Sequence, residues 1–116
     1  MVERRRSKRL ALTIPVNVYG RSPRNHPFRA VTATMDVSLN GGLLHMKPRV
    51  KVGQKILIVN RFTEEERECR VVCVDPKPRG RRKVAVEFVN AESDFWHVYN
   101  PSVRLEAALR PPDSTA

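Results

Sequence analysis

Apolar and polar residues alternate with a period of two in short runs along most of this chain. Leu10, Leu12, Ile14, Val16 and Val18 alternate with Ala11, Thr13, Pro15, Asn17 and Tyr19. That period puts one set of side chains on each face of an extended strand. Pro15 lies on the polar parity and predicts an edge or a bulge. Residues 20–27 (GRSPRNHP) form a loop by turn chemistry. The next strand places Val31, Ala33 and Met35 on one face and Thr32 and Thr34 on the other. Four more short runs follow, Leu43–Met46, Lys55–Asn60, Glu68–Val74 and Lys83–Val89, separated by turns rich in Pro, Gly and charge. Six strands at this spacing predict a small six-stranded antiparallel β-barrel or a sandwich. Asn90 can cap a short C-terminal helix carrying Phe95, Trp96 and Tyr99, which would cover an open barrel end. The expected fold class is therefore all-β with a short C-terminal helix. Residues 1–9 are expected to be a flexible basic arm, 10–100 the barrel with its helix, and 101–116 a short helical extension with a frayed tail.

The formal charge is +10 over 116 residues. Arg4, Arg5, Arg6, Lys8 and Arg9 carry five positive charges, and Lys77, Arg79, Arg81, Arg82 and Lys83 carry five more. The remaining 12 of the 22 basic residues equal the 12 acidic ones, so the excess lies in two short patches. Such an excess favours an anionic partner: nucleotide, nucleic acid or acidic membrane. For the patch at 77–83 a solvated basic surface is the favoured reading. No apolar run is long enough to span a bilayer, and the basic start leads into alternation instead of an unbroken apolar block. A soluble, cytoplasmic protein is expected. Cys69 and Cys73, four apart on a strand, share a face about 13 Å apart, too far for a disulfide. With His26, His45 and His97 scattered, no zinc-like spacing exists, and neither metal nor cofactor is expected.

Two motifs carry chemistry. Asp36-Val37-Ser38-Leu39-Asn40-Gly41-Gly42 places a carboxylate, a hydroxyl and two glycines in a turn between strands. These are ordinary turn residues. They are also a compact set of acceptors for N–H groups such as those on the edge of a guanine. Arg5 and Arg9 form an R-x-x-x-R pair at the entrance to the first strand. Each guanidinium offers a planar fork of donors that matches a phosphate or the O6/N7 edge of guanine.

In combination the two motifs resemble the PilZ domain family, bacterial receptors for the second messenger cyclic di-GMP. Arg5-Arg6-Ser7-Lys8-Arg9 is similar to the family's R-x-x-x-R, and Asp36-Val37-Ser38-Leu39-Asn40-Gly41 to its D/N-x-S-x-x-G. Val86-Glu87-Phe88 looks like the family's last strand, and the likeness spans roughly residues 4 to 100. The resemblance implies that Arg5 and Arg9 bind phosphate and guanine, and that Asp36 and Ser38 bind a second guanine beside Gly41. It also implies that Arg4, just before the pair, favours a stacked pair of cyclic di-GMP molecules. A stand-alone receptor of this kind acts on an unidentified effector protein through a ligand-altered surface.

Two other readings compete. A nucleic-acid-binding barrel fits the charge. However, four Phe, two Tyr and one Trp, mostly in the last strand and helix, leave no strand with a stacking platform. A PilZ-like adaptor without ligand fits poorly with intact motif residues. No nucleophile–base pair, metal set or phosphate-binding loop points to an enzyme.

Overall fold

The computed structural model describes residues 9–76, 79–90 and 94–97. Six strands, β1 (Pro15–Arg21), β2 (Pro27–Val37), β3 (Gly41–Met46), β4 (Lys55–Asn60), β5 (Glu66–Val74) and β6 (Arg82–Phe88), close into a barrel in the order β1-β2-β3-β6-β5-β4. Every neighbouring pair is antiparallel, including β1 with β4. Connections therefore alternate between two ends. Arg9 and Leu10, where the described chain starts, the β2–β3 turn and the β4–β5 turn lie at one end, here the arm end. The β1–β2, β3–β4 and β5–β6 connections lie at the other, here the far end.

Inward-facing side chains fill the interior, led by Val16, Val18, Leu44, Met46, Ile58, Val71 and Val84. Phe95 and Trp96 add to this core, packing edge-on to one another at 4.8 Å and against Phe88 at 5.3 and 5.8 Å. Asn60 Nδ2 donates to the Phe95 carbonyl at 3.0 Å, and His97 Nε2 lies 2.6 Å from Glu65 Oε1. The aromatic plug thus covers one barrel end, and that end is the arm end. Its backbone there is a turn, with His97 N–H donating to the Asp94 carbonyl. No helix occurs among the described residues. Tyr99, most of the expected C-terminal helix and the extension at 101–116 lie outside them.

Three expectations change. The first strand begins at Pro15, not Leu10, and continues to Arg21. Proline fits at a first strand position, where no ladder donor is needed. Residues 10–14 still run beside β2, but one rung is supplied by a side chain: Thr34 Oγ1 donates to the Leu12 carbonyl at 2.6 Å and accepts from Ile14 N–H at 2.8 Å. Thr34 is accordingly buried, whereas Val31 is 51% exposed, so β2 faces the opposite way to its apolar pattern. Finally, Cys69 and Cys73 do not share a face. A bulge between Val71 and Cys73 resets the alternation, leaving Cys69 buried and Cys73 exposed, both as free thiols.

Closure also sorts the charge. The β1–β2 connection and the start of β2 bring Arg21, Arg24 and Arg29 to the far end. The β3–β4 connection brings Lys47, Arg49, Lys51 and Lys55. The β5–β6 connection and the first residues of β6 bring Arg79, Arg81, Arg82 and Lys83. Against these three, four and four cations, eleven in all, stands one described carboxylate, Asp75. At the arm end Glu64, Glu65, Glu66 and Glu68, with Asp36, Glu87 and Asp94, outnumber Arg9, Arg61 and Arg67 among the described residues.

Burial, with the Glu68 carboxylate adding to it, pushes the Cys69 thiol from 9.0 up to about 12. The folded state therefore holds this proton more tightly than the unfolded chain, and stability falls as pH rises above about 9. One thiol per chain, Cys73, reacts with an aromatic disulfide reagent at neutral pH, and Cys69 reacts only after denaturation. Rapid labelling of both thiols in native protein contradicts this burial. Thr34→Val removes the bridging hydroxyl at nearly constant shape and leaves Ile14 N–H without its acceptor. A loss of about 1–3 kcal/mol in urea unfolding is expected.

Candidate functional site

A second bulge builds the site. Thr34 pairs with Leu44 and Asp36 with Leu43, so Met35 is the extra residue on β2. Without it, strict alternation would bury Asp36 on the same face as Thr34. With it, Val37 points inward and Asp36 comes to the outer surface, its side chain 22% exposed. Bulges of this kind re-aim side chains beside functional surfaces.

The end of the arm is fixed against this position. Leu10 N–H donates to the Val37 carbonyl at 2.8 Å, and Val37 N–H donates to the Leu10 carbonyl at 2.9 Å. Arg9, the preceding residue, is placed so that Nη1 lies 3.9 Å from Asp36 Oδ2. With Arg9 42% exposed, this is a loose surface pair, whose contribution to stability is about 0–1 kcal/mol.

Ser38 closes the β2–β3 turn. Its N–H donates to the Gly41 carbonyl at 2.9 Å, and its Oγ accepts from the Asn40 and Gly41 amides, each at 3.2 Å. Those two bonds occupy the hydroxyl's lone pairs and leave its O–H as a donor. Gly41 itself passes directly over β6. A Cβ there would overlap the Val86 carbonyl oxygen and lie 2.9 Å from Glu87 Cα. Only glycine permits that approach. The Gly41 carbonyl also accepts from Trp96 Nε1 at 2.9 Å, a buried bond that ties the aromatic plug to the turn.

Of the six residues singled out in the sequence, the structure brings Arg9, Asp36, Ser38 and Gly41 into one neighbourhood. Arg4 and Arg5 lie outside the described residues. Sequence reasoning missed Leu10 and Val37 as the clamp on the arm, and Trp96 as a hydrogen-bond partner of the turn. A buried indole N–H requires an acceptor, but no spacing rule names which one.

A closed six-stranded barrel with Arg9 held beside an Asp-x-Ser-x-x-Gly turn defines a class of small β-barrel modules. The chain matches the PilZ domain family over residues 3–97 and belongs to that family. It resembles the inhibitor of motility MotI/DgrA of Bacillus subtilis at 20% identity, covering 95% of this chain and 55% of that one with a TM-score of 0.63. It also resembles YcgR of Escherichia coli, solved in complex with c-di-GMP, at 16% identity, 92% and 49% coverage and a TM-score of 0.62. The PilZ domain of CeSA from a cellulose-synthesizing bacterium is similar at 18% identity, 88% and 92% coverage and a TM-score of 0.51. The chain spans about half the length of the first two proteins. No curated protein matches it in sequence. At these identities the likeness is one of fold. No helix among the described residues is long and apolar enough to cross a membrane.

Gly41→Ala forces β3 away from β6 or strains both. The expected loss is at least about 1–3 kcal/mol of unfolding free energy, with Trp96 fluorescence shifted toward that of exposed indole. A variant as stable as the parent, with unshifted emission, contradicts the close approach.

Proposed function

We propose that this chain is a receptor for cyclic di-GMP, a bis-guanine dianion. The observation that carries this reading is the approach of Arg9 to Asp36 beside the Ser38–Gly41 turn, in a chain that belongs to the PilZ family. The fold shared with YcgR of Escherichia coli, which was solved with c-di-GMP bound, supports it.

The chemistry is complementary. Arg5 and Arg9 offer only donors, and take phosphate oxygens and the O6/N7 edge of guanine in bidentate contacts. Asp36 accepts from the N–H edge of the other guanine, and the Ser38 hydroxyl donates to the ligand. Gly41 lets the turn pack directly over β6, which holds the Ser38 turn beside Asp36. Arg4 adds a cation for the phosphates of a second, stacked ligand molecule. On binding, the arm closes over the dianion, and the altered surface is presented to an effector protein. The loose Arg9–Asp36 pair is readily exchanged for ligand contacts, because little stabilisation is lost when it opens.

Calorimetric titration with cyclic di-GMP tests this. Arg5→Ala, Arg9→Ala and Asp36→Ala each lower affinity about 10- to 100-fold, in line with roughly 1–3 kcal/mol per bidentate contact. Lys77→Ala, in the second basic patch, leaves it nearly unchanged. A stoichiometry of two that falls to one in Arg4→Ala supports the stacked pair. Equal losses in Arg5→Ala, Arg9→Ala and Lys77→Ala indicate diffuse attraction in place of a site, and no heat at micromolar protein rejects the receptor reading.

A further inference from the structure

The far end of the barrel carries eleven described cations and one described carboxylate, and the proposed ligand site uses none of them. These residues come from three separate connections and acquire a common location only through barrel closure. All of them except Arg82 are exposed, and Arg82 Nη1 donates to the Lys47 carbonyl, tying the β5–β6 and β3–β4 connections together. Gln54 Nε2 likewise donates to the Arg21 carbonyl and joins the β3–β4 and β1–β2 connections. The three connections thus form one continuous surface.

Two recesses open on it. One, of about 400 Å³, is lined by Arg29, Lys47 and Arg81 with His45, and walled by Val31, Met46 and Pro48. The other, of about 560 Å³, is lined by Arg21, Lys51 and Lys55 with Ser22 and Gln54. No described carboxylate lines either recess. We propose that this end of the barrel is an interaction surface for the phosphate backbone of double-stranded nucleic acid, bound without sequence preference.

Three features favour that partner. The excess is one of fixed cations at many points, which suits a regularly spaced polyanion and the release of its counterions. Tyr19 and Phe62 are the described aromatic side chains with substantial exposure, and neither lines a recess, so a single strand finds no base platform here. A duplex presents phosphates outward and needs none. Recognition by Lys and Arg on loops, with no base-reading helix or ribbon, gives position without sequence information. The surface is also remote from the arm: Arg29 and Asp36 are separated along β2 by about 20 Å. This inference therefore stands whether or not the chain binds cyclic di-GMP.

Fluorescence anisotropy of the full chain with a short labelled duplex of mixed sequence, over a salt series, tests it. Six phosphate contacts correspond to a slope of log K against log salt of about −5. In the triple variant Arg29→Ala, Lys47→Ala, Arg81→Ala the slope becomes shallower by about three, with affinity lost at every salt concentration. The control variant Arg61→Ala removes an exposed cation at the arm end and leaves the slope unchanged. Circular dichroism and the urea midpoint establish that both variants remain folded. If the triple variant does not fold, Arg81→Glu alone replaces it, and weakened duplex binding is expected. The proposal is overturned by an absence of duplex binding at about 50 mM salt or by equal losses in the two variant sets. Displacement of the duplex by poly-glutamate at matched charge also overturns it, since that result identifies an acidic protein as the better partner.

Discussion

Two reciprocal hydrogen bonds between Leu10 and Val37, at 2.8 and 2.9 Å, decide where the basic arm leaves the barrel. Arg9 directly precedes Leu10, so its guanidinium has only the reach of one side chain in which to find a partner. Val37 is buried and forms the last residue of β2, which makes it a firm anchor. The clamp is backed by Thr34, whose hydroxyl engages both Leu12 and Ile14. From Leu10 to Ile14 the chain is held by the bridge, the Thr34 side chain and one backbone bond from Thr34 N–H to the Ile14 carbonyl, instead of a regular ladder. It is thus fixed in position without extending the sheet, and the arm's exit stays close to the β2–β3 turn.

The period-two pattern was enough to read the number of strands, their order in the chain and the all-β class. It failed where the period is broken. Met35 and Val72 are each one residue too many for their partner strands, and each resets the alternation. The consequences are a buried threonine, a surface-exposed valine, an outward Asp36 and a Cys73 on the opposite face from Cys69. A bulge is a relation between two strands, and one strand's sequence does not contain it. The site was more legible than the faces, because Asp36, Ser38 and Gly41 lie within a single turn whose chemistry is local. Ser38 accepts from the amides two and three residues ahead, a pattern its position alone suggests. What pins Gly41 is not local. The Val86 carbonyl and the Trp96 indole come from 45 and 55 residues further along.

Charge shows the same division. Counting along the chain, the basic residues outside two patches cancel against the acids, and the cancellation is correct as arithmetic. In space it does not hold. Glu64, Glu65, Glu66 and Glu68 sit at the β4–β5 turn and the start of β5, while Lys47, Arg49, Lys51 and Lys55 sit at the opposite end. An antiparallel barrel sends alternate connections to opposite ends. Charges that look interspersed in sequence are thereby sorted to the two ends, apart from Lys55, which lies diagonally across the β4–β5 ladder from Glu68. Each end then presents its own potential to approaching molecules.

This separation bears on how the arm can behave. The arm is cationic, and the far end is cationic, so electrostatics gives the arm no reason to fold toward the far end. At its own end stand Asp36, paired with Arg9, and the glutamates of the β4–β5 turn. A cationic segment tethered at Leu10 beside a mildly acidic rim is drawn to that rim weakly and reversibly, as the 3.9 Å spacing of Arg9 and Asp36 indicates. A strong buried pair at that position would resist opening, because opening would leave each buried charge without its partner. An exposed one does not. The same weakness that makes Arg9–Asp36 unimportant for stability leaves both side chains available to a ligand bearing its own phosphates and guanine edges.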